Sequence, residues 1–346
     1  MGMIEKNTAK LPIEPYKGVR DFYPEDMAVQ NYIFSVWRDV AQKFGYQEYG
    51  ASILELAEIY RSKGNDEIVN EQMFTFTDRG GREVALRPEM TPSLARMIAA
   101  RRKSLKFPLR WFSIPNVFRY ERPQRGRRRE HWQLNCDLMG IADTSAEVEI
   151  IELAYKIMKE FGAKDEDFEI RINSRKIINY ILQTFLNLDE GIAKKVANLI
   201  DRKQKMPAKD WQIATGLLID KKSIELDKLL NAKSFDEFTS YLSKEKTVNE
   251  TLTEFQAVME SVKKLGITDI MFDPTITRGF DYYTGMVFEV FDTHPDNRRS
   301  LFGGGRYDNL LEIFGAEPIP TVGFGMGDIT IRDFLETHGL PIGPKK

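Results

Sequence analysis

Apolar residues recur at helical spacing over 27–44, where Ile33, Phe34, Val36, Trp37, Val40 and Phe44 mark a helix that Gly45 ends. Residues 73–77 and 84–86, separated by Asp78-Arg79-Gly80-Gly81, read as a hairpin. A short helix is predicted over 92–100, with Thr91 as its N-cap and Pro92 in its first turn. Residues 109–120 and 132–141 are strand-like and joined by a very basic loop. Two β-rich blocks around short helices form an α+β pattern and not a βαβ repeat.

The pattern then shifts. Residues 148–161 form a strongly periodic helix and 168–173 a strand. From 175 to 265 almost every window is helical, Lys-rich and poor in glycine, which reads as a helical module inserted into the α+β frame. Strand signals return at 270–272 and 286–291 and continue through a glycine loop at 303–305 to 321–324; a last helix covers 329–337. The chain thus divides into a tail (1–15), a first part of the core (16–165), a mainly helical insertion (166–266), a second part of the core (267–340) and a linker stub (341–346).

Composition narrows the class. With 346 residues, 42% of them hydrophobic, the chain can bury a full core and is not disordered. No apolar run approaches the ~20 residues that span a bilayer, so no membrane partner is expected. The lone Cys136 cannot form an internal disulfide, which suggests a reducing, cytoplasmic setting. Three scattered histidines and one thiol argue against a structural zinc site. A net charge of −2 excludes a generally basic coat, so nucleic-acid contact must come from a local patch.

Four clusters carry candidate chemistry. Residues 119–129 hold six arginines in eleven positions, and planar guanidinium forks suit polyphosphate. Arg119 sits in an apolar strand-like stretch, where an unpaired guanidinium needs an anion or Glu121 beside it. In Arg87-Pro88-Glu89-Met90-Thr91-Pro92, Glu89 is either a surface residue at a helix start or a carboxylate placed to receive an ammonium. Arg278-Gly279-Phe280-Asp281-Tyr282-Tyr283 is either a tight turn with two core aromatics or a polar wall for a small ring. Gly303-Gly304-Gly305-Arg306-Tyr307-Asp308 lets backbone approach a ligand closely, and is neither a Walker loop nor a dinucleotide fingerprint.

In this order the clusters resemble the catalytic core of histidyl-tRNA synthetases, class II aminoacyl-tRNA synthetases, over roughly residues 15–340. Residues 86–91 are similar to the family's LRPEGT segment, 118–126 to motif 2 (FRxERPQxGR), 278–283 to the histidine-specific RGLDYY segment and 303–308 to GGGRYD. Gly323-Phe324-Gly325-Met326-Gly327 resembles the opening of motif 3. The resemblance implies a six-stranded antiparallel sheet flanked by helices, a helical insertion domain, and a homodimer formed through motif 1. It implies a ligase that, with Mg2+, activates L-histidine with ATP to histidyl-adenylate and pyrophosphate and transfers the histidyl group to the acceptor end of tRNA-His.

By the same resemblance, Arg119 and Arg278 hold the α-phosphate as catalytic residues. Glu121, Arg127 and His131 bind the nucleotide, His131 standing where the family stacks an aromatic on adenine. Glu89, Thr91 and Gln133 receive the ammonium, Asp137 and Tyr283 face the imidazole with Tyr282 beside them, and Gln124 and Arg125 meet the acceptor end. Three further positions depart from the family pattern: Asp137 replaces a glutamate, Ser52 the motif 1 proline, and Thr330 the motif 3 arginine. Arg332, two residues on, points ~200° away on a helix. The family continues into an anticodon-binding module, whereas this chain stops soon after Pro341 and Pro344, which read as the start of a linker. The alternative reading is a non-catalytic histidine-sensing regulatory subunit of ATP phosphoribosyltransferase, which resembles the same core; a third is a catalytically inactive synthetase-like domain.

Overall fold

The computed structural model describes residues 11–62, 68–203, 206–242, 246–277, 282–297 and 299–343. Helix α1 (Pro24–Lys43) opens with proline in its first turn and buries Ile33, Val36, Trp37 and Val40. After the short β1 (Gln47–Glu48), a small antiparallel sheet forms from β2 (Leu54–Leu56), β3 (Phe74–Thr77) and β4 (Glu83–Leu86) in the order β2-β4-β3; the single turn α2 (Glu58–Arg61) follows β2. Next come α3 (Thr91–Arg101), β5 (Leu109–Ser113), β6 (Asn116–Phe118), β7 (Glu130–Met139) and α4 (Ser145–Glu160).

Strand β8 (Phe168–Ser174) precedes the helical stretch: α5 (Arg175–Asn179), α6 (Glu190–Arg202), α7 (Ala208–Ile219), α8 (Lys222–Leu230), α9 (Phe235–Ser240) and α10 (Lys246–Lys264). The chain returns through β9 (Ile270–Phe272), β10 (Met286–Asp292), β11 (Ser300–Arg306), β12 (Thr321–Gly327) and α11 (Asp328–Thr337).

The large sheet runs β1-β5-β7-β12-β11-β10-β8-β9, with β6 paired to β7. Its six middle strands, β5 to β8, are antiparallel throughout. Parallel β1 and β9 extend them at the two edges. The α+β frame, with its antiparallel sheet flanked by helices, is the architecture expected from the sequence.

Side chains alternate across this sheet. Leu134, Cys136 and Leu138 of β7, Val322, Phe324 and Met326 of β12, and Phe288 and Val290 of β10 enter one apolar core with α1, α4 and α11. The helices between β8 and β9 add Val196, Ile200, Trp211, Leu226, Phe238 and Phe255 to the same core. Cys136 is fully buried there. The opposite face of β7 carries Gln133, Asn135 and Asp137, and that of β12 carries Gly323 and Gly325.

The structure corrects four local expectations. The 303–305 segment is not a loop but the middle of β11, with Gly303 facing Gly325 and Gly305 facing Gly323 in β12. Flanking strands force it into the sheet despite its weak strand propensity. Thr91 is the first helical residue of α3 and caps nothing with its side chain. The strand expected over 109–120 breaks between β5 and β6, where Pro115 cannot donate to a ladder. The insertion range 166–266 includes β8, yet β8 is hydrogen-bonded between β10 and β9 in the large sheet, so the helices begin only at Arg175.

Beside α4, Arg306 donates to Glu147 through Nε (2.5 Å) and Nη2 (2.6 Å), and both side chains are buried. Replacing only Arg306 by alanine strands a buried carboxylate, which should cost about 3–5 kcal/mol of stability in denaturant titrations. The double replacement by methionine should recover most of that loss.

Candidate active site

The polar face of β7 forms the floor of a cleft of about 260 Å³. Asp137 lies opposite Gly323 and Gln133 opposite Gly327. Their side chains lie across the β12 backbone: a Cβ on Gly323 would strike the Asp137 carboxylate, and one on Gly325 the Gln133 amide. The glycines of β12 thus make room for the polar residues of β7. At the start of α11, Asp328 accepts from Arg20 (2.7 Å), Gln30 (3.1 Å) and the Trp132 backbone N–H (2.9 Å). These bonds fix α11 against β7 and set Ile329 and Thr330 on the cleft wall.

At the deep end sit two buried carboxylates. Glu89 is 4% and Asp137 3% exposed. Tyr282 donates its hydroxyl to Glu89 Oε2 (3.3 Å), and Tyr307 donates to Asp137 Oδ1. Glu89 Oε1, Gln133 Oε1 and Asp137 Oδ2 have no hydrogen-bond partner among the described residues. Burial pushes the Glu89 carboxyl up to about 7 against the opposing pull of Arg119 and Tyr282. Burial likewise raises Asp137 to about 7, which the Tyr307 hydrogen bond only moderates. Tyr282, Tyr283 and Tyr307 form a ring cluster with centroids 4.9, 5.4 and 6.4 Å apart. Three oxygens without a donor among the described residues, beside aromatic walls, suit a small cation whose N–H groups would draw both carboxyls into their ionised form.

The other end is basic. Arg119 follows β6, and its Nε donates to Pro88 O (2.9 Å), which holds the guanidinium beside Glu89 without an ion pair between them. Glu121, expected near Arg119, instead pairs with Arg127 at 3.8 Å. Burial, then the charges of Arg119 and Arg20, lower His131 to about 3, so its ring is neutral. Arg128 also lines this end.

The cleft therefore gathers Glu89, Thr91, Arg119, Glu121, Arg127, His131, Gln133, Asp137, Tyr282 and Tyr283. Gln124 and Arg125 lie outside its lining, exposed on the loop between β6 and β7. Arg278 falls outside the described residues. Sequence reasoning missed Asn135, Tyr307 and Arg128 as lining residues. Alternation from Gln133 to Asp137 was the signal for Asn135; Tyr307 stood in the glycine cluster without a role.

The family model for histidyl-tRNA synthetase matches residues 18–328. The chain belongs to the histidyl-tRNA synthetase family. It is 45% identical over 337 residues to the histidine–tRNA ligase of Leptospira biflexa, covering 96% of this chain and 76% of the relative. It is 37% identical to the chloroplastic/mitochondrial histidine–tRNA ligase of Arabidopsis thaliana, covering 96% and 68%. The histidyl-tRNA synthetase structure from Nostoc sp. PCC 7120 shares the fold with a TM-score of 0.82 at 24% identity, covering 97% and 79%. A Bacillus halodurans structure described as an ATP phosphoribosyltransferase regulatory subunit/histidyl-tRNA synthetase gives 0.81 at 26%, covering 95% and 84%.

The raised carboxyls give the site a pH signature. Unfolded, both groups titrate near ~4; folded and empty, at about 7. The folded state holds the extra protons in between, so these groups make stability fall as pH rises through that window. Glu89→Gln and Asp137→Asn should each raise the melting temperature at pH 8 by about a few degrees, the gain shrinking towards pH 5. An unchanged melting temperature at both pH values would contradict the burial argument.

Proposed function

We propose that this member of the family works as a histidine–tRNA ligase: it activates L-histidine with ATP to histidyl-adenylate and transfers the histidyl group to the 3′ end of tRNA-His. One observation carries the residue-level reading: three buried acceptor oxygens at one end of a cleft whose other end is lined by arginines. Glu89 Oε1 and Gln133 Oε1, with the Thr91 hydroxyl, receive the substrate ammonium. Asp137 Oδ2 accepts a ring N–H, and Tyr283 and Tyr282 wall the imidazole. A side chain without that N–H leaves a buried carboxylate unsatisfied, which rejects it strongly.

The substrate carboxylate then attacks the α-phosphorus, and the bond to the bridging oxygen breaks to release pyrophosphate. Arg119, with Arg278 assigned to the same phosphate by the family resemblance, stabilises the charge that spreads over the phosphoryl oxygens. The neutral His131 ring offers adenine a flat face without adding charge beside Arg119, and Arg127 and Glu121 meet the nucleotide. Magnesium, when bound, neutralises phosphate charge. No group of three metal-type side chains exists among the described residues. The ion would be held mainly by phosphate oxygens, and Glu121 is a lining carboxylate that could complete its shell. The terminal ribose hydroxyl of tRNA next attacks the adenylate carbonyl and AMP leaves, with Gln124 and Arg125 at the rim to meet the acceptor end.

The proposal includes a homodimer acting in the cytoplasm. No helix among the described residues is long and apolar enough to cross a membrane. The small sheet next to Ser52 exposes Leu54, Leu56 and Phe76 at 40%, 46% and 49%, a face suited to a second copy. Leu56→Glu with Phe76→Glu should convert a dimer to a monomer in sedimentation; a wild-type monomer would refute the dimer.

Pyrophosphate exchange into ATP, run with L-histidine beside the nineteen other amino acids, tests the reaction. Exchange specific to histidine is expected. Asp137→Ala should weaken histidine by about 100-fold with little change for ATP, and Arg278→Ala should abolish exchange. Histidine binding without any exchange would instead favour a histidine sensor.

A further inference from the structure

The first turn of α11 brings no cation to the cleft. Thr330 stands there, its Oγ1 donating to Leu301 O (2.8 Å). Arg332 faces away, paired with Asp26 (3.4 Å) and Glu336 (2.8 Å). One turn beyond Thr330, however, Asp333 meets an excess of positive charge. The guanidiniums of Arg125, Arg299 and Arg128 all act on its carboxylate, and Arg125 Nε is 3.9 Å from Oδ2. That oxygen is buried and has no hydrogen-bond partner among the described residues.

Arg125 is the ion-pair partner of Asp333, and neither Arg299 nor Arg128 has a carboxylate within ion-pair distance among the described residues. The other acid nearby, Glu336, is taken by Arg332. Arg129, next in the chain, is also engaged: it donates to Tyr16 (2.8 Å) and lies over the Tyr120 ring at 3.8 Å. Arg125 is turned outward, its Nη2 on Thr337 Oγ1 (2.9 Å). Arg128 and Arg299 remain. Arg128 lines the cleft, with Nη1 on Gln124 O (3.3 Å). Arg299 precedes the β11 wall and donates to Arg125 O (2.8 Å). It lies against Gly126, a lining residue at φ +74°, where any Cβ would strike its guanidinium.

We propose that Arg299 and Arg128, each held by a backbone carbonyl of the β6–β7 loop, seat the terminal phosphates of ATP in place of a cation on α11. The inference rests on the reading of the cleft as an ATP site. Paired forks match phosphate oxygens bidentately, and the carbonyls of Gln124 and Arg125 hold Arg128 and Arg299 before the nucleotide arrives. The β,γ-phosphates would thus be held between the β6–β7 loop and the start of β11, with Arg119 left for the α-phosphate.

The test compares ATP with AMP by calorimetry, which requires no turnover. Arg299→Gln and Arg128→Gln should each weaken ATP by about tenfold or more, leave AMP within about twofold, and leave histidine affinity unchanged. Arg299→Lys should recover part of the loss. Where exchange is active, the KM values for ATP and pyrophosphate should rise together. Equal losses for ATP and AMP, or a loss seen only in the KM for tRNA, would overturn the proposal. Wild-type protein that binds ATP more tightly than AMP but gives no exchange would count against the ligase reading and not against this seat.

Discussion

The contact of Asp137 with the bare backbone at Gly323 ties the register of the central sheet to the chemistry above it. A strand slipped by one residue would turn Gln133, Asn135 and Asp137 into the core and bring Leu134, Cys136 and Leu138 out into the cleft. Burial of those three apolar side chains therefore holds the acceptor oxygens in place. Glycine on β12 completes the arrangement, since any larger residue at 323 or 325 would displace the Asp137 carboxylate or the Gln133 amide. Core and site are two faces of one pairing, and neither can shift alone.

That pairing leaves the empty site electrostatically unfavourable. Two carboxyls are buried beyond the reach of water, and their free oxygens find no donor among the described residues. Arg119 could have neutralised Glu89, but it spends its Nε on the Pro88 carbonyl. A direct ion pair would have filled the place a substrate ammonium is proposed to take. Acid and base stand side by side but unpaired, which on the proposed reading leaves each free for one end of a zwitterion. The large apolar core, continuous from α1 to the helices between β8 and β9, offsets the cost.

Much of this was legible in the sequence. The periodic helices and the strands of the core announced themselves, because burial on one face imposes a period that needs no partner to be read. The glycine segment did not: residues without side chains carry no period, and only the neighbouring strands make 303–305 a strand. Thr91 looked like a cap because its type suits one, while the backbone begins the helix a residue earlier. At the site, Arg119 stood out as a guanidinium costly to bury, Glu89 stayed open between a surface and a binding reading, and Asp137 was reached only through the family resemblance; Tyr307, at home in any core, was given no role. Its role depends on reaching Asp137 from a distant strand end, which no local spacing encodes.

The two departures nearest the chemistry share a physical logic. Where the family places a longer glutamate, Asp137 is one methylene shorter; Gly323 lets it lie close to the backbone, and Tyr307 fixes one of its oxygens so that the other is presented alone. Where the family places an arginine, Thr330 is neutral and bonded to Leu301, while positive charge gathers one turn away around Asp333. In both places a residue that reaches less far is accompanied by neighbours that restore the missing contact or charge. On the proposed reading both ends answer to β7, which pairs with β12 and is bonded through its Trp132 N–H to Asp328 at the start of α11.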